Sequence, residues 1–179
     1  MKETFYKLFW VWEYDKEEKW LNEMAAQGWA LNGVGFCRYT FDKVQPGEYT
    51  VRLQLLNQCP ASVESMGYLR LVEDSGAEYV GRMMRWVYFR KSGDRDFRLF
   101  SDNRSQAEYL GRIQRFLAPL TVANLGIGLS NLCMGLSLPS AVNAWCGCLS
   151  LTVAAFLGLG WRKVWQKRCQ VLKECDVFE

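Results

Sequence analysis

Histidine is absent from this 179-residue chain, which removes the residue that most often serves as a general base, a pH switch or a metal ligand. No serine lies in a Gly-x-Ser-x-Gly elbow, and Gly33-x-Gly35 lies in a predicted strand rather than in the strand-to-helix turn of a dinucleotide site. The sequence therefore predicts no enzymatic reaction and no cofactor.

Cysteine occurs seven times, but no two cysteines form a C-x-x-C pair, and an odd number does not suit a disulfide framework. We interpret the cysteines as small buried side chains together with two thiols in the tail, Cys169 and Cys175. No metal site is predicted.

Charge is missing from one long segment. No Asp, Glu, Lys or Arg occurs in the 46 positions from Phe116 to Trp161. One helix needs about 20 apolar residues to cross the hydrocarbon of a bilayer, so we predict transmembrane helices at 117–137 and 141–161, joined by a turn at Leu138-Pro139-Ser140. The alternative is a buried hairpin of a soluble protein, which would be an unusually long uncharged element beside a domain of this size.

Basic residues flank this segment on both sides: Arg112 and Arg115 precede it, and Arg162 and Lys163 follow it. Because positive flanks favour the cytoplasmic side, both flanks are expected there. The sequence thus predicts a multi-pass protein of the cell membrane, with its N- and C-termini in the cytoplasm and its hairpin in the lipid bilayer.

The preceding part of the chain alternates between strand and helix patterns. Residues 5–14, 30–44, 49–55 and 78–91 have the aromatic, β-branched and alternating composition of strands. Two helices are predicted, from Asp15 to a left-handed cap at Gly28 and over residues 62–75 to a similar cap at Gly76. The strand-helix-strand unit occurs twice at a constant offset. We therefore predict an α+β fold with a ferredoxin-like βαββαβ order, in which one antiparallel sheet carries both helices on one face.

This pattern divides the chain into four parts. Residues 1–100 form a cytoplasmic ferredoxin-like domain, and residues 101–116 form an amphipathic connecting helix. Residues 117–161 form the transmembrane hairpin, and residues 162–179 form a basic cytoplasmic tail.

Arginine and aromatic residues are mixed on the predicted strands, where we expect partner-binding residues. The set is Arg38, Arg52, Arg82, Arg85, Trp86 and Tyr88, with Tyr39 and Tyr49 beside it. Such a face suits a protein partner, the stacking of RNA bases, or simple cation–π and cross-strand packing. Residues 1–115 carry 17 basic and 16 acidic side chains, and this near-neutral balance argues against nucleic acid.

Polar and small residues in the predicted spans form a second candidate set, with a role in contacts between transmembrane helices. The set is Asn124, Asn131, Asn143, Gly128 and Gly147. The asparagines could recognise a substrate or partner, or they could form hydrogen bonds across the hairpin or to a second copy of the chain.

Several segments carry a resemblance to a known family: Trp20-Leu21 through Gly28-Trp29, Pro46-Gly47-Glu48-Tyr49-x-x-Arg52, and Trp86-Val87-Tyr88-Phe89-Arg90-Lys91. Over residues 5–115 the chain resembles the bacterial domain-of-unknown-function family 2812. The resemblance implies a Gram-positive origin, two C-terminal membrane helices and genomic association with PadR-like transcription regulators. It implies no catalytic residues.

The functional hypothesis is a non-enzymatic, membrane-tethered regulatory or sensory adaptor. Its cytoplasmic sheet domain would bind a protein, such as a PadR-like regulator or another membrane subunit. The alternative is an accessory subunit of a membrane transporter that acts through the transmembrane hairpin.

Overall fold

The computed structural model describes residues 2–94, 96–99, 103–137 and 141–176, with side chains as far as residue 174. The chain divides into two compact units, residues 1–101 and residues 102–179.

Within the described residues, the first unit is an α+β structure of six strands, two α-helices and one short 3-10 helix. Its elements are β1 (Lys2–Tyr6), α1 (Tyr14–Ala26), β2 (Trp29–Gly35), β3 (Arg38–Lys43), β4 (Tyr49–Leu55), α2 (Val63–Asp74), β5 (Glu78–Met83) and β6 (Trp86–Ser92). The strands form two antiparallel sheets of three strands each, in the orders β1-β3-β2 (sheet A) and β4-β6-β5 (sheet B).

The two longest predicted strands are in fact hairpins. The predicted strand 30–44 turns at Phe36-Cys37, and the predicted strand 78–91 turns at Met84-Arg85. Cys37 and Met84 adopt left-handed φ angles of 53° and 56°. Tight hairpin turns usually show Asn-Gly or Asp-Gly. Neither pair stands at these two turns, and the Asn32-Gly33 pair lies inside β2. The alternating pattern therefore runs through each turn and resembles one uninterrupted strand.

The internal repeat is present in the structure, but its unit is βαββ rather than the predicted βαβ. Both sheets place the third strand of the unit in the middle. The ladder irregularity between Leu31 and Gly33 recurs at the equivalent positions of the second unit, Tyr79 and Gly81. The predicted caps Gly28 and Gly76 also occupy equivalent positions and have φ angles of 87° and 85°. The expected single ferredoxin-like sheet is thus replaced by two sheets, because each repeat contributes its own hairpin.

The first predicted strand is shorter than expected. It ends at Tyr6, and a short 3-10 helix, Val11–Glu13, leads directly into α1. The Glu18 carboxylate, in the N-terminal half of α1, accepts a hydrogen bond from the backbone N–H of Leu53 at 3.3 Å. This contact ties α1 to β4.

Helix α1 packs against both sheets. Its Trp20 ring meets Tyr39 and Phe41 of sheet A edge-on, at 5.1 and 5.8 Å between ring centroids. Its Tyr14 ring stacks on Trp86 of sheet B at 6.2 Å. The core of the first unit therefore lies between α1 and the two sheets.

Helix α2 covers the other face of sheet B. Tyr68, Leu69 and Val72 of this helix join a cluster around Val87 and Phe89 of β6. Ser62 is the N-cap of this helix, and its side chain accepts a hydrogen bond from the Ser65 N–H at 3.2 Å, as serine commonly does at this position.

The second unit is a pair of long helices, α3 (Asn103–Ser137) and α4 (Ala141–Asp176). Each is long and apolar enough to cross a membrane. The expected connecting helix and first span form one continuous helix, and the expected tail continues α4 as far as Asp176. At about 1.5 Å per residue, each helix is roughly 50 Å long and exceeds the hydrocarbon thickness of about 30 Å. The predicted turn at 138–140 lies outside the described residues.

Candidate functional site

The two hairpin turns of the first unit lie at the same end of neighbouring strands. A Cβ placed on Gly81 of β5 would lie 3.3 Å from the Val34 side chain of β2. Three residues earlier on β2, the Leu31 carbonyl accepts a hydrogen bond at 3.0 Å from Arg90, which also pairs with Glu78 of β5. Strands β2 and β5 thus run side by side in the same direction, so their turns project from one edge.

Large apolar side chains project from both turns. Phe36 is 84% exposed and Met84 is 78% exposed. An exposed arginine lies near each of them, Arg38 beside the first turn and Arg82 beside the second. Tyr6, which is 77% exposed, pairs with Arg38 across the ladder. We call Tyr6, Phe36, Arg38, Arg82 and Met84 the turn-end surface.

The remaining members of the predicted binding set are used inside the fold. Arg52 donates hydrogen bonds to the Phe97 carbonyl at 2.8 Å and to the Glu18 carboxylate at 3.3 Å. Arg85 donates to the backbone carbonyls of Leu56 and Asn57. Trp86 and Tyr88 are buried. Of the six predicted residues, only Arg38 and Arg82 are exposed, so the expected shared sheet face is not the accessible surface.

The face that Arg52 and Arg82 share is the one that α2 covers. Arg52 pairs with Phe89 and Arg82 pairs with Val87, and both β6 residues belong to the cluster under α2. The opposite face of sheet B carries Trp86 and Tyr88, which contact α1. Helices α2 and α1 therefore cover the two faces of sheet B at β6, and Arg82 stays exposed at the turn end.

A buried carboxylate joins the two sheets to α1. The hydroxyls of Tyr39 and Tyr88 donate hydrogen bonds to the same oxygen of Glu17, at 2.8 and 2.7 Å. Burial raises the pKa of the Glu17 carboxyl, and the two tyrosine hydrogen bonds oppose this shift. Burial and the Glu17 charge also raise the pKa of Tyr39. This cluster ties strands β3 and β6 to helix α1.

The raised pKa of Glu17 predicts how the stability of the folded chain depends on pH. A carboxyl whose pKa is higher in the folded state contributes stability below its ordinary pKa, and this contribution is lost as the pH rises through the folded value. We expect Glu17→Gln, which is neutral at every pH, to become more stable relative to the wild type as the pH rises from the ordinary glutamate value to neutrality. Urea midpoints of the full chain in detergent, followed by near-UV circular dichroism, measure this difference. Glu23→Gln, an exposed change on the same helix, is the matched control. A wild type that gains stability relative to Glu17→Gln as pH rises would contradict the assignment.

Side chains of α1 also cover the outer edge of β4. Asn22 donates to the Val51 carbonyl and accepts from the Val51 N–H, both at 2.9 Å. An open cleft of about 560 Å³ lies beside this edge and is lined by Asp15, Glu18, Asn22, Tyr49 and Arg52, among others. Sequence reasoning missed this contact, because an asparagine next to the apolar stripe of a helix carries no signal of what it bonds.

The predicted span residues occupy different positions in the helix pair. Gly128 and Gly147 lie at the contact between α3 and α4, where a Cβ on either would come within 3.0 Å of a leucine side chain. Asn124 and Asn131 donate to the carbonyls four residues earlier in α3, at 2.8 and 2.9 Å. Asn143 lies near the contact, with its Cβ 3.6 Å from a Cβ placed on Gly135.

Two small antiparallel sheets, followed by two long apolar helices, define an α+β protein with two candidate membrane spans. A family model described as "Protein of unknown function (DUF2812)" matches residues 13–122, which is more than half of the chain. The chain therefore belongs to this family, and the resemblance found in the sequence is confirmed. No curated protein and no solved structure matches it.

Proposed function

We propose that the chain is a non-enzymatic, membrane-tethered adaptor that binds a protein through the turn-end surface. The two long helices would insert as a hairpin, with both termini in the cytoplasm as the flanking basic residues favour. The partner would be a transcription regulator of the PadR-like class or another membrane subunit.

The observation that carries this proposal is the paired exposure of Phe36 and Met84 at one end of the strands. Aromatic residues, Met and Arg are enriched at protein interfaces, and Arg is frequent among the residues that contribute most to binding energy. Hairpin turns normally carry small polar residues, so two exposed apolar turns at one edge are better explained by a partner than by folding.

The test is affinity purification of the full chain from its native membrane. We expect the variant Phe36→Ser/Met84→Ser to lose a partner that the wild type retains, with a decrease of at least about tenfold in recovered partner. This corresponds to a loss of about 1.4 kcal/mol.

The control is Leu71→Ser, which removes an exposed leucine on α2 that is 67% accessible and lies away from the turns. It should retain the partner. If the wild type and Phe36→Ser/Met84→Ser recover equal amounts of the partner, the turn-end surface is not the binding surface. If alkaline carbonate extracts the chain from the membrane, the chain is not tethered there.

A further inference from the structure

The helix pair has two flanks that differ in polarity. Its contact is centred on Gly128 of α3 and Gly147 of α4. A Cβ on Gly128 would lie 2.7 Å from Leu151, and a Cβ on Gly147 would lie 2.9 Å from Leu132. These two glycines therefore define the direction in which each helix faces the other.

All three asparagines of the predicted spans lie on one flank of this contact. At about 100° per residue, Asn124 and Asn131 are displaced from Gly128 by about 40° and about 60° in the same rotational sense. Asn143 and Ser150 are displaced from Gly147 by about 40° and about 60° in that sense. Because the helices are antiparallel, equal rotations in one sense bring the four side chains to the same side of the pair.

The opposite flank is apolar. Leu132 and Leu151 lie about 40° from the reference glycines in the other sense, and Leu125 and Ala144 lie about 60° away. Leu136 and Ala155 lie further out. The pair thus has a polar flank, which carries the three asparagines, and an apolar flank, which carries the leucines.

The polar flank lies at the depth of the hydrocarbon core. The contacts of Gly128 with Leu151 and of Gly135 with Asn143 set the alignment of the helices. In order of depth the polar side chains are Asn143, Asn131, Ser150 and Asn124, over roughly 16 Å. All lie well inside a core of about 30 Å.

The amides on this flank retain hydrogen-bonding capacity. Asn124 and Asn131 each donate one bond, to their own helix. An amide has two N–H donors and a carbonyl oxygen that accepts. Within the described residues, the oxygens of these two side chains accept no hydrogen bond. In a bilayer no water can satisfy them, so another protein surface is favoured.

We propose that the polar flank is the interface between two copies of this chain, related by a twofold axis. Asparagine is both donor and acceptor, so a row of amides is complementary to itself and needs no second kind of protein. The flank has no Asp, Glu, Lys or Arg that would indicate an ion path. This inference rests on the membrane tether of the proposed function, but not on its protein partner.

The test is the oligomeric state of the full chain in lipid vesicles, measured by energy transfer between differently labelled copies as the chain is diluted in lipid. The wild type is expected to associate. The variant Asn124→Leu/Asn131→Leu/Asn143→Leu should dissociate at a chain density at least about tenfold higher. The control Leu125→Ala/Leu129→Ala/Leu136→Ala changes exposed positions towards the apolar flank and should associate like the wild type.

Two native cysteines provide a second measurement. Cys146 is rotated from Gly147 by about 100° towards the polar flank, and Cys148 by about 100° towards the apolar flank. The experiment uses variants that retain only Cys146 or only Cys148, and these variants are oxidised in the bilayer. Covalent dimers should form with Cys146 alone, should be scarce with Cys148 alone, and should decrease when the three asparagines are replaced.

The inference is overturned if the wild type remains monomeric, if the asparagine variant associates like the wild type, or if both thiols cross-link equally. Association that requires another membrane protein would instead favour a hetero-oligomeric subunit and would also overturn it. None of these results bears on partner recovery through the turn-end surface, so the two proposals fail independently.

Discussion

Replacing Asn22 with leucine is expected to lower the free energy of unfolding of the α+β unit by about 2 kcal/mol, within the range for unsatisfied buried backbone groups. The Asn22 amide binds both the N–H and the carbonyl of Val51, each at 2.9 Å. Leucine fills similar space but leaves the Val51 N–H without this partner, whereas the Val51 carbonyl keeps a hydrogen bond from Arg52 at 3.2 Å. An unsatisfied buried group costs about 1–3 kcal/mol, and water that enters the adjoining cleft offsets part of this cost.

Hydrogen exchange of the full chain, read by mass spectrometry, measures this loss where it arises. We expect faster exchange first at the edge strand β4 in Asn22→Leu. The matched control is Lys19→Leu, since the Lys19 side chain is 79% exposed on the same helix. Equal hydrogen exchange at β4 in Asn22→Leu and Lys19→Leu would show that the edge contact contributes little to stability. Uncovered strand edges also promote association, so concentration-dependent aggregation of Asn22→Leu alone is a second expected result.

Replacing Gly128 with alanine is expected to weaken the packing of α3 on α4 by about 2 kcal/mol, as overpacking of a close contact does. The added Cβ would lie 2.7 Å from the Leu151 side chain and 3.1 Å from its backbone nitrogen. Relief requires movement of the helix as well as of the side chain, and overpacking of this kind costs about 1–3 kcal/mol. Titration with sodium dodecyl sulfate measures the change, with fluorophores at the N-terminal turn of α3 and the C-terminal turn of α4.

Gly126→Ala provides the control, because a Cβ on Gly126 meets nothing within 4 Å. Alanine favours helix over glycine by about 1 kcal/mol, so this variant should be neutral or slightly stabilising. If helices α3 and α4 separate at the same sodium dodecyl sulfate fraction in Gly128→Ala as in Gly126→Ala, the close contact at Gly128 is contradicted.

The local signals in the sequence are reliable where one residue decides the geometry. Gly28 and Gly76 adopt the left-handed angles that end helices α1 and α2, as predicted. The turns at Phe36-Cys37 and Met84-Arg85 could not be predicted in this way. Cys37 and Met84 adopt left-handed angles that their side chains disfavour. Contacts with residues distant in sequence hold the two turns: Lys7 N–H donates to the Cys37 carbonyl, and Leu56 N–H donates to the Arg85 carbonyl.

The candidate site was only partly predictable. The sequence places arginines and aromatic residues on the strands, but register and helix packing decide which of them are exposed. Arg52 and Tyr88 are taken up by contacts with α1 residues Glu18 and Glu17, whereas Arg38 and Arg82 are left at the turns. The exposed Phe36 and Met84 were absent from the predicted set, because an apolar residue in an alternating pattern is ordinarily assigned to the core.

The sequence by itself determines the composition of each part: a near-neutral α+β region with an internal repeat, and an uncharged segment from Phe116 to Trp161. These follow from the order and spacing of residues along the chain, which local propensities and helix length translate directly into elements. The tertiary structure alone decides that the repeat makes two sheets, that α1 covers the edge of β4, and that the span asparagines share one flank. Each of these depends on which residues distant in sequence come into contact, and no local pattern specifies that.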